Sequence, residues 1–150
     1  QQALDMYHAI PNAPKLRDGV CYPWHEPSKD ETDNLSDKTV GTVFGHCAAS
    51  LLMKLLYAAR MVRLDICYAI NNLSRYVSRW NSLCDKQLVH LFGCIKNTRQ
   101  SKLHATCDRN ELSTIELHAY PDADLAGTFD STRATSGGFI HIGGINIFSN

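Results

Sequence analysis

The spacing of apolar residues changes twice along this chain, and the changes divide it into three stretches. No regular period holds through residues 1–44. Pro11, Pro14, Pro23 and Pro27 each remove a backbone donor and restrict the residue before them, and residues 28–38 form a run with almost no apolar content. This stretch reads as an extended linker without a core of its own, in which Tyr22 and Trp24 dock only locally. From about Gly45 the period becomes helical. Ala48–Met61 is rich in strong helix formers and has a broad apolar face. Residues 64–80 place Ile66, Ile70, Leu73, Val77 and Trp80 at steps of four, three, four and three, the repeat of one buried helical stripe. A third helix is predicted from Leu83 to about Asn97, with Leu88, Leu91, Phe92 and Ile95 facing inward and Ser82 and Asp85 as a capping box. Gly93 is an awkward guest there, since glycine costs roughly 1 kcal/mol relative to alanine inside a helix.

After Lys102 the period switches to two. Residues 103–107 and 115–120 alternate, separated by Asp108, Arg109 and Asn110 as a turn. Residues 138–142 and 145–148 flank Gly143 and Gly144, a two-residue hairpin signal. The predicted fold class is therefore α+β, helices first and an antiparallel sheet after them. The predicted divisions are a linker over 1–44, a helical segment over 45–102 and a β-rich segment over 103–150.

Charge follows these divisions more sharply than the net value of zero suggests. Residues 1–39 carry four basic residues against seven acidic, 40–105 carry nine against two, and 106–150 carry two against six. The basic middle has two explanations that the sequence leaves open. It is a surface for phosphates, or it is the solvated side of amphipathic helices. Six cysteines form no CxxC pair and have no histidine at zinc-finger spacing, which predicts reduced thiols in an intracellular protein. No apolar run approaches the roughly 18 residues needed to cross a bilayer, and no secretory signal pattern opens the chain. The expected setting is cytoplasm or nucleus, with no membrane partner and no small-molecule cofactor.

The sharpest chemical feature is Asp122-Ala123-Asp124, directly after the predicted strand 115–120. Carboxylates at a strand end suit a hard divalent cation. They equally suit a turn in which aspartates accept bonds from nearby backbone amides. A calcium EF-hand loop is excluded, because Ala126 and Arg133 stand where further oxygen donors are required.

Residues 120–144, YPDADLAGTFDSTRATSGGFIHIGG, resemble the opening of the ribonuclease H domain in copia-type retrotransposons, which runs approximately Y-x-D-A-D-W-A-G-D, a short loop, R-x-S-T-S-G and a strand. Residues 50–79, SLLMKLLYAARMVRLDICYAINNLSRYVSR, are similar to the G-x-L-x-Y-L-x-x-x-T-R-P-D-I-x-Y-A-V-x-x-L-S-R segment of the same polyproteins. The two matches occur in the family's order and at about its separation. Leu125 replaces the family's usual Trp, Leu64 its Pro, and Asn97 the Gly of its K-G-T.

The resemblance implies a segment of a Pol polyprotein that runs from the end of a reverse transcriptase into the first strands of an incomplete ribonuclease H-like sheet. It makes residues 45–102 a thumb- or connection-like region and Asp122 the counterpart of a metal-binding, catalytic aspartate for magnesium. The implied partner is an RNA–DNA hybrid, with Arg75 and Arg79 as candidate phosphate contacts. Asp124 is a characteristic position of the family, and Arg133, Thr135, Ser136 and Gly137 match the loop before its second strand.

The sequence contains no Asp-Asp pair and no acidic residue after Asp130, so the polymerase metal motif and the later ribonuclease H carboxylates are missing from it. Two-metal hydrolysis needs several carboxylates around the ions. Whether this chain is itself an enzyme is therefore open, and the expectation is a piece that is silent alone. The alternatives are a non-enzymatic nucleic-acid-binding module, whose affinity falls steeply with salt, and an inert transposon relic.

Overall fold

The chain begins with a helix of seven residues, α1 (Gln2–His8), rather than with an extended connector. The computed structural model describes residues 1–28, 41–101, 104, 115–124, 135–143 and 145–149. The chain divides into two compact units, the first comprising Gln1–Ala59 and Asp65–Ser101 and the second Arg60–Leu64 and Lys102–Asn150.

In the first unit, α1 turns Leu4 and Tyr7 into the core. The Tyr7 ring is stacked on Phe44 at 5.4 Å and tilted against Phe92 at 4.7 Å, and its hydroxyl donates to the Pro14 carbonyl at 2.7 Å. Leu16 is buried in the same cluster. The linker expected over 1–44 is thus corrected for residues 1–28. The prolines do prevent a long helix, but a chain that is not helical still docks where a neighbour supplies apolar surface and hydrogen-bond partners. The polar run at 29–40 lies outside the described residues.

Helix α2 (Ala48–Met61) forms where its composition predicts and buries Leu51, Leu52, Leu55 and Ala59 along one stripe. The single helix expected over 64–80 is broken in three. A 3-10 turn (Leu64–Ile66) leads into α3 (Cys67–Ser74), and a second 3-10 turn (Val77–Arg79) ends at Trp80 in an extended conformation. Ile66, Ile70, Leu73 and Trp80 are nevertheless all buried and Val77 is packed against them. A 3-10 turn advances a side chain about as a helix does over three residues, so the apolar steps survive the break and conceal it.

Helix α4 (Ser82–Asn97) buries Leu88, Leu91 and Phe92, with Ile95 half-buried against them. Its cap differs from the expected Ser82–Asp85 box. Asn81, extended at φ −137 and ψ 177, accepts from the Cys84 amide and begins the helix. This frees the Asp85 carboxylate to accept from the Val43 amide at 2.7 Å, the Phe44 amide at 3.3 Å and the Trp80 indole at 2.7 Å. One side chain thereby fastens three segments. Gly93 also finds its reason: a Cβ there would lie 3.5 Å from the Arg17 carbonyl oxygen and 3.6 Å from Val20. The missing side chain lets the N-terminal stretch pass close over α4.

The second unit contains a three-stranded antiparallel sheet in the order β1–β2–β3, formed by β1 (Leu117–Asp124), β2 (Thr135–Ile142) and β3 (Ile145–Ser149). Gly143, at φ 51, makes the tight turn between β2 and β3 that the hairpin signal predicted. A register shift between Ile140 and His141 leaves Ile147 as the extra residue of a bulge in β3. The fold is α+β. The hairpin expected from 103–107 through 108–110 lies outside the described residues. No helix among the described residues is long and apolar enough to cross a membrane.

Candidate metal and nucleic-acid sites

Strand β1 is longer than its alternation suggested, and that moves Asp122. The strand was expected to end at Tyr120, with the two aspartates in a turn beyond it. Instead β2 starts at Thr135, three residues ahead of the expected Gly138, and the added pairs carry β1 to Asp124. Asp122 faces Gly137 across the ladder and Pro121 faces Gly138. Proline is tolerated because, among the described strands, β1 is an edge. Thr135, Ser136 and Gly137 accordingly belong to β2 rather than to the loop before it.

Alternation along β1 sets His118, Tyr120 and Asp122 on one face. The neighbouring strand contributes Phe139 and His141 to the same side. His118 stacks on His141 at 4.9 Å, Tyr120 on His141 at 5.7 Å, and Tyr120 meets Phe139 at 6.3 Å. Glu116 Oε2 lies 3.6 Å from His118 Nε2. Asp122 is thus an exposed carboxylate at the end of a ladder of rings, fixed by strand pairing and not by a turn. It offers one hard oxygen ligand. Among the described residues no group of three or more His, Cys, Asp or Glu side chains is placed to hold a metal ion. The described residues therefore do not make a complete magnesium site, and no hydrolytic step is assigned to them.

Arg75 and Arg79 flank the break after α3. Arg75 is the last residue of that helix turn, with its amide bonded to the Asn72 carbonyl, and Arg79 closes the second 3-10 turn. Both are exposed. The Arg79 guanidinium lies 4.8 Å from the centre of the Tyr76 ring, a cation–π arrangement that holds it flat on the surface. The break thus presents both arginines on a short irregular segment rather than on the side of one continuous helix.

No thiol nucleophile stands in either unit among the described residues. Burial pushes the Cys84 thiol up, and Cys47 is raised first by burial and then by the Asp85 charge. Neither is a thiolate at neutral pH. No disulfide joins Cys21, Cys47, Cys67, Cys84 or Cys94. Sequence reasoning missed the Asp85 clamp and the ring ladder. The clamp's partners are more than forty residues away in sequence. The ladder depends on strand register, which pairs His118 with His141 and Tyr120 with Phe139. The only available signal for it was aromatic and histidine residues at alternate positions in 118–120 and 139–141.

No family model, curated protein or solved structure matches this chain.

Proposed function

We propose that the chain is a segment of a copia-type retrotransposon Pol polyprotein, spanning the end of a reverse transcriptase and the beginning of a ribonuclease H-like domain. The parent protein copies RNA into DNA and degrades the RNA of the hybrid. The observation that carries this reading is the ordered pair of sequence matches, residues 50–79 followed by 120–144. Two features of the fold are compatible with it. The helical unit comes before an antiparallel β1–β2–β3 meander, and Asp122 stands exposed on the first described strand of that meander.

In this reading Asp122 is the segment's contribution to a magnesium site whose remaining carboxylates belong to other parts of the parent. Magnesium, when bound by the full set, activates water and stabilises the leaving oxygen. Arg75 and Arg79 contact nucleic-acid phosphates, which position a duplex without reading its sequence.

The DNA on either side of the coding segment tests the assignment. An open frame with an Asp-Asp motif upstream and acidic motifs downstream is the expected finding. Immediate stop codons on both sides would leave the inert relic as the better account. The isolated chain, incubated with a labelled RNA–DNA hybrid and magnesium, is expected to give no cleavage above the metal-only control. Metal-dependent cutting abolished by Asp122→Asn would overturn the assignment of silence.

A further inference from the structure

Residues 17–26 run as a strap over α4, held almost entirely by polar contacts. At one end Lys96 pairs with Asp18 at 2.7 Å, and the Asn97 side-chain amide donates to the Arg17 and Val20 carbonyls, each at 3.2 Å. In the middle, His90 Nε2 donates to the Tyr22 carbonyl at 3.0 Å, and the two rings lie 4.8 Å apart. At the other end Gln87 donates to the His25 carbonyl at 2.6 Å, and the His25 ring stands edge-on to His90 at 6.1 Å. Trp24 meets Tyr68 edge-on at 6.0 Å. The seat is incomplete, because Gln87 Oε1 is buried with no hydrogen-bond partner. Docking strips that acceptor of water without replacing the bond, so the strap is held less firmly than its contact list suggests.

His90 is the one titratable side chain in the middle of this seat. We propose that the strap is a proton-released latch: proton uptake by His90 detaches residues 17–26 from α4 while the core of the helical unit stays folded.

The surroundings of His90 fix the direction. Because Nε2 donates to a carbonyl, the incoming proton goes to Nδ1. From the strap, Arg17 and His25 face the ring. On α4 itself Lys86 lies one turn before it and Gln87 and Cys94 lie along the same side. The carboxylates of the strap are committed elsewhere, Asp18 to Lys96 and Glu26 to the Trp24 indole and the Tyr68 hydroxyl. Burial is the largest influence holding His90 below its ordinary value, His25 and Arg17 act the same way, and the Tyr22 carbonyl opposes them.

A base whose docked pKa is depressed gives full docking strength above its undocked value, near 6.5, and loses it as pH falls from there to the docked value. Asp18 does not contribute in this window. Its bond to Lys96, and then the Lys96 charge, hold its carboxyl below the usual range, so the pair stays charged.

The test follows the two tryptophan indole N–H resonances of the full chain by NMR from pH 8 to 5.5. Trp24 reports on the strap and Trp80, bonded to Asp85, on the core. The expected result is a Trp24 shift toward its position in urea with Trp80 unmoved, the docking constant falling by up to about tenfold per pH unit within the window. His90→Gln keeps an amide donor for the Tyr22 carbonyl and is expected to leave Trp24 fixed across the range. In the unaltered chain the His90 ring resonance must titrate with the Trp24 midpoint, a check that does not depend on the variant folding. A Trp24 resonance that never moves, a Trp80 resonance that moves with it, separate His90 and Trp24 midpoints, or an unchanged transition in His90→Gln each overturn the latch.

Discussion

Replacing Tyr7 with alanine is expected to lower the stability of the helical unit by about 3–5 kcal/mol, the range for removing a large aromatic side chain from a packed core. The ring is 1% exposed, touches both Phe44 and Phe92, and has no solvent path into which it can relax. Truncation leaves a cavity between α1, the segment carrying Phe44, and α4. It also strands the Pro14 carbonyl that the hydroxyl now satisfies. Tyr7→Phe keeps the ring and removes only that bond, so its expected cost is about 1 kcal/mol. Burial, and secondarily the Asp85 charge, push the phenol up to about 12, so it remains a donor at every pH at which the fold is examined. Urea unfolding of the three proteins followed by circular dichroism measures both differences. An unchanged midpoint for Tyr7→Ala would return residues 1–28 to the status of a passive linker.

Asp85→Ala is expected to cost roughly 2–4 kcal/mol, although Asp85 looks in sequence like an ordinary first-turn helix residue. Its two oxygens satisfy two backbone amides and an indole N–H. Hydrogen bonds to a charged acceptor are about twice as strong as neutral ones, and all three donors are left in a partly buried position when it is removed. Asp85→Asn is expected to recover only part of the loss, because the amide nitrogen presents a donor to donors. The midpoint of urea unfolding reports the loss, and Trp80 fluorescence reports the local change. A cost below about 0.5 kcal/mol, the level of an unremarkable surface substitution, would show that the 43–44 segment is held by packing alone.

The two cases mark what the sequence made visible. Helices α2 and α4 were legible because Leu51, Leu55 and Ala59, and Leu88, Leu91 and Phe92, each repeat at helical spacing. The β2–β3 hairpin was legible because Gly143 and Gly144 interrupt two alternating runs. The docking of α1 was not. Leu4, Tyr7 and Leu16 form no period, and what buries them is supplied by residues that follow far later in the chain. The role of Asp85 was hidden by a local pattern, since Ser82 three residues before it suggested a cap that Asn81 in fact provides. For the candidate site, the motif pointed to Asp122. Its exposure and its place inside a strand came only from the register against β2.

The polar strap has a further consequence for the order in which the chain can be built. Its bonds join residues 62 to 80 positions apart, from Gln87 with His25 to Asn97 with Arg17. On a ribosome adding roughly 5–20 residues each second, the N-terminal stretch waits on the order of 3–16 s for its partners on α4 to be made. Tyr7, Leu4 and Leu16 remain without their final neighbours during that interval. Although the unit is helical, its assembly has the long sequence separations that slow folding in sheet proteins. The first residues synthesised are therefore among the last to be secured.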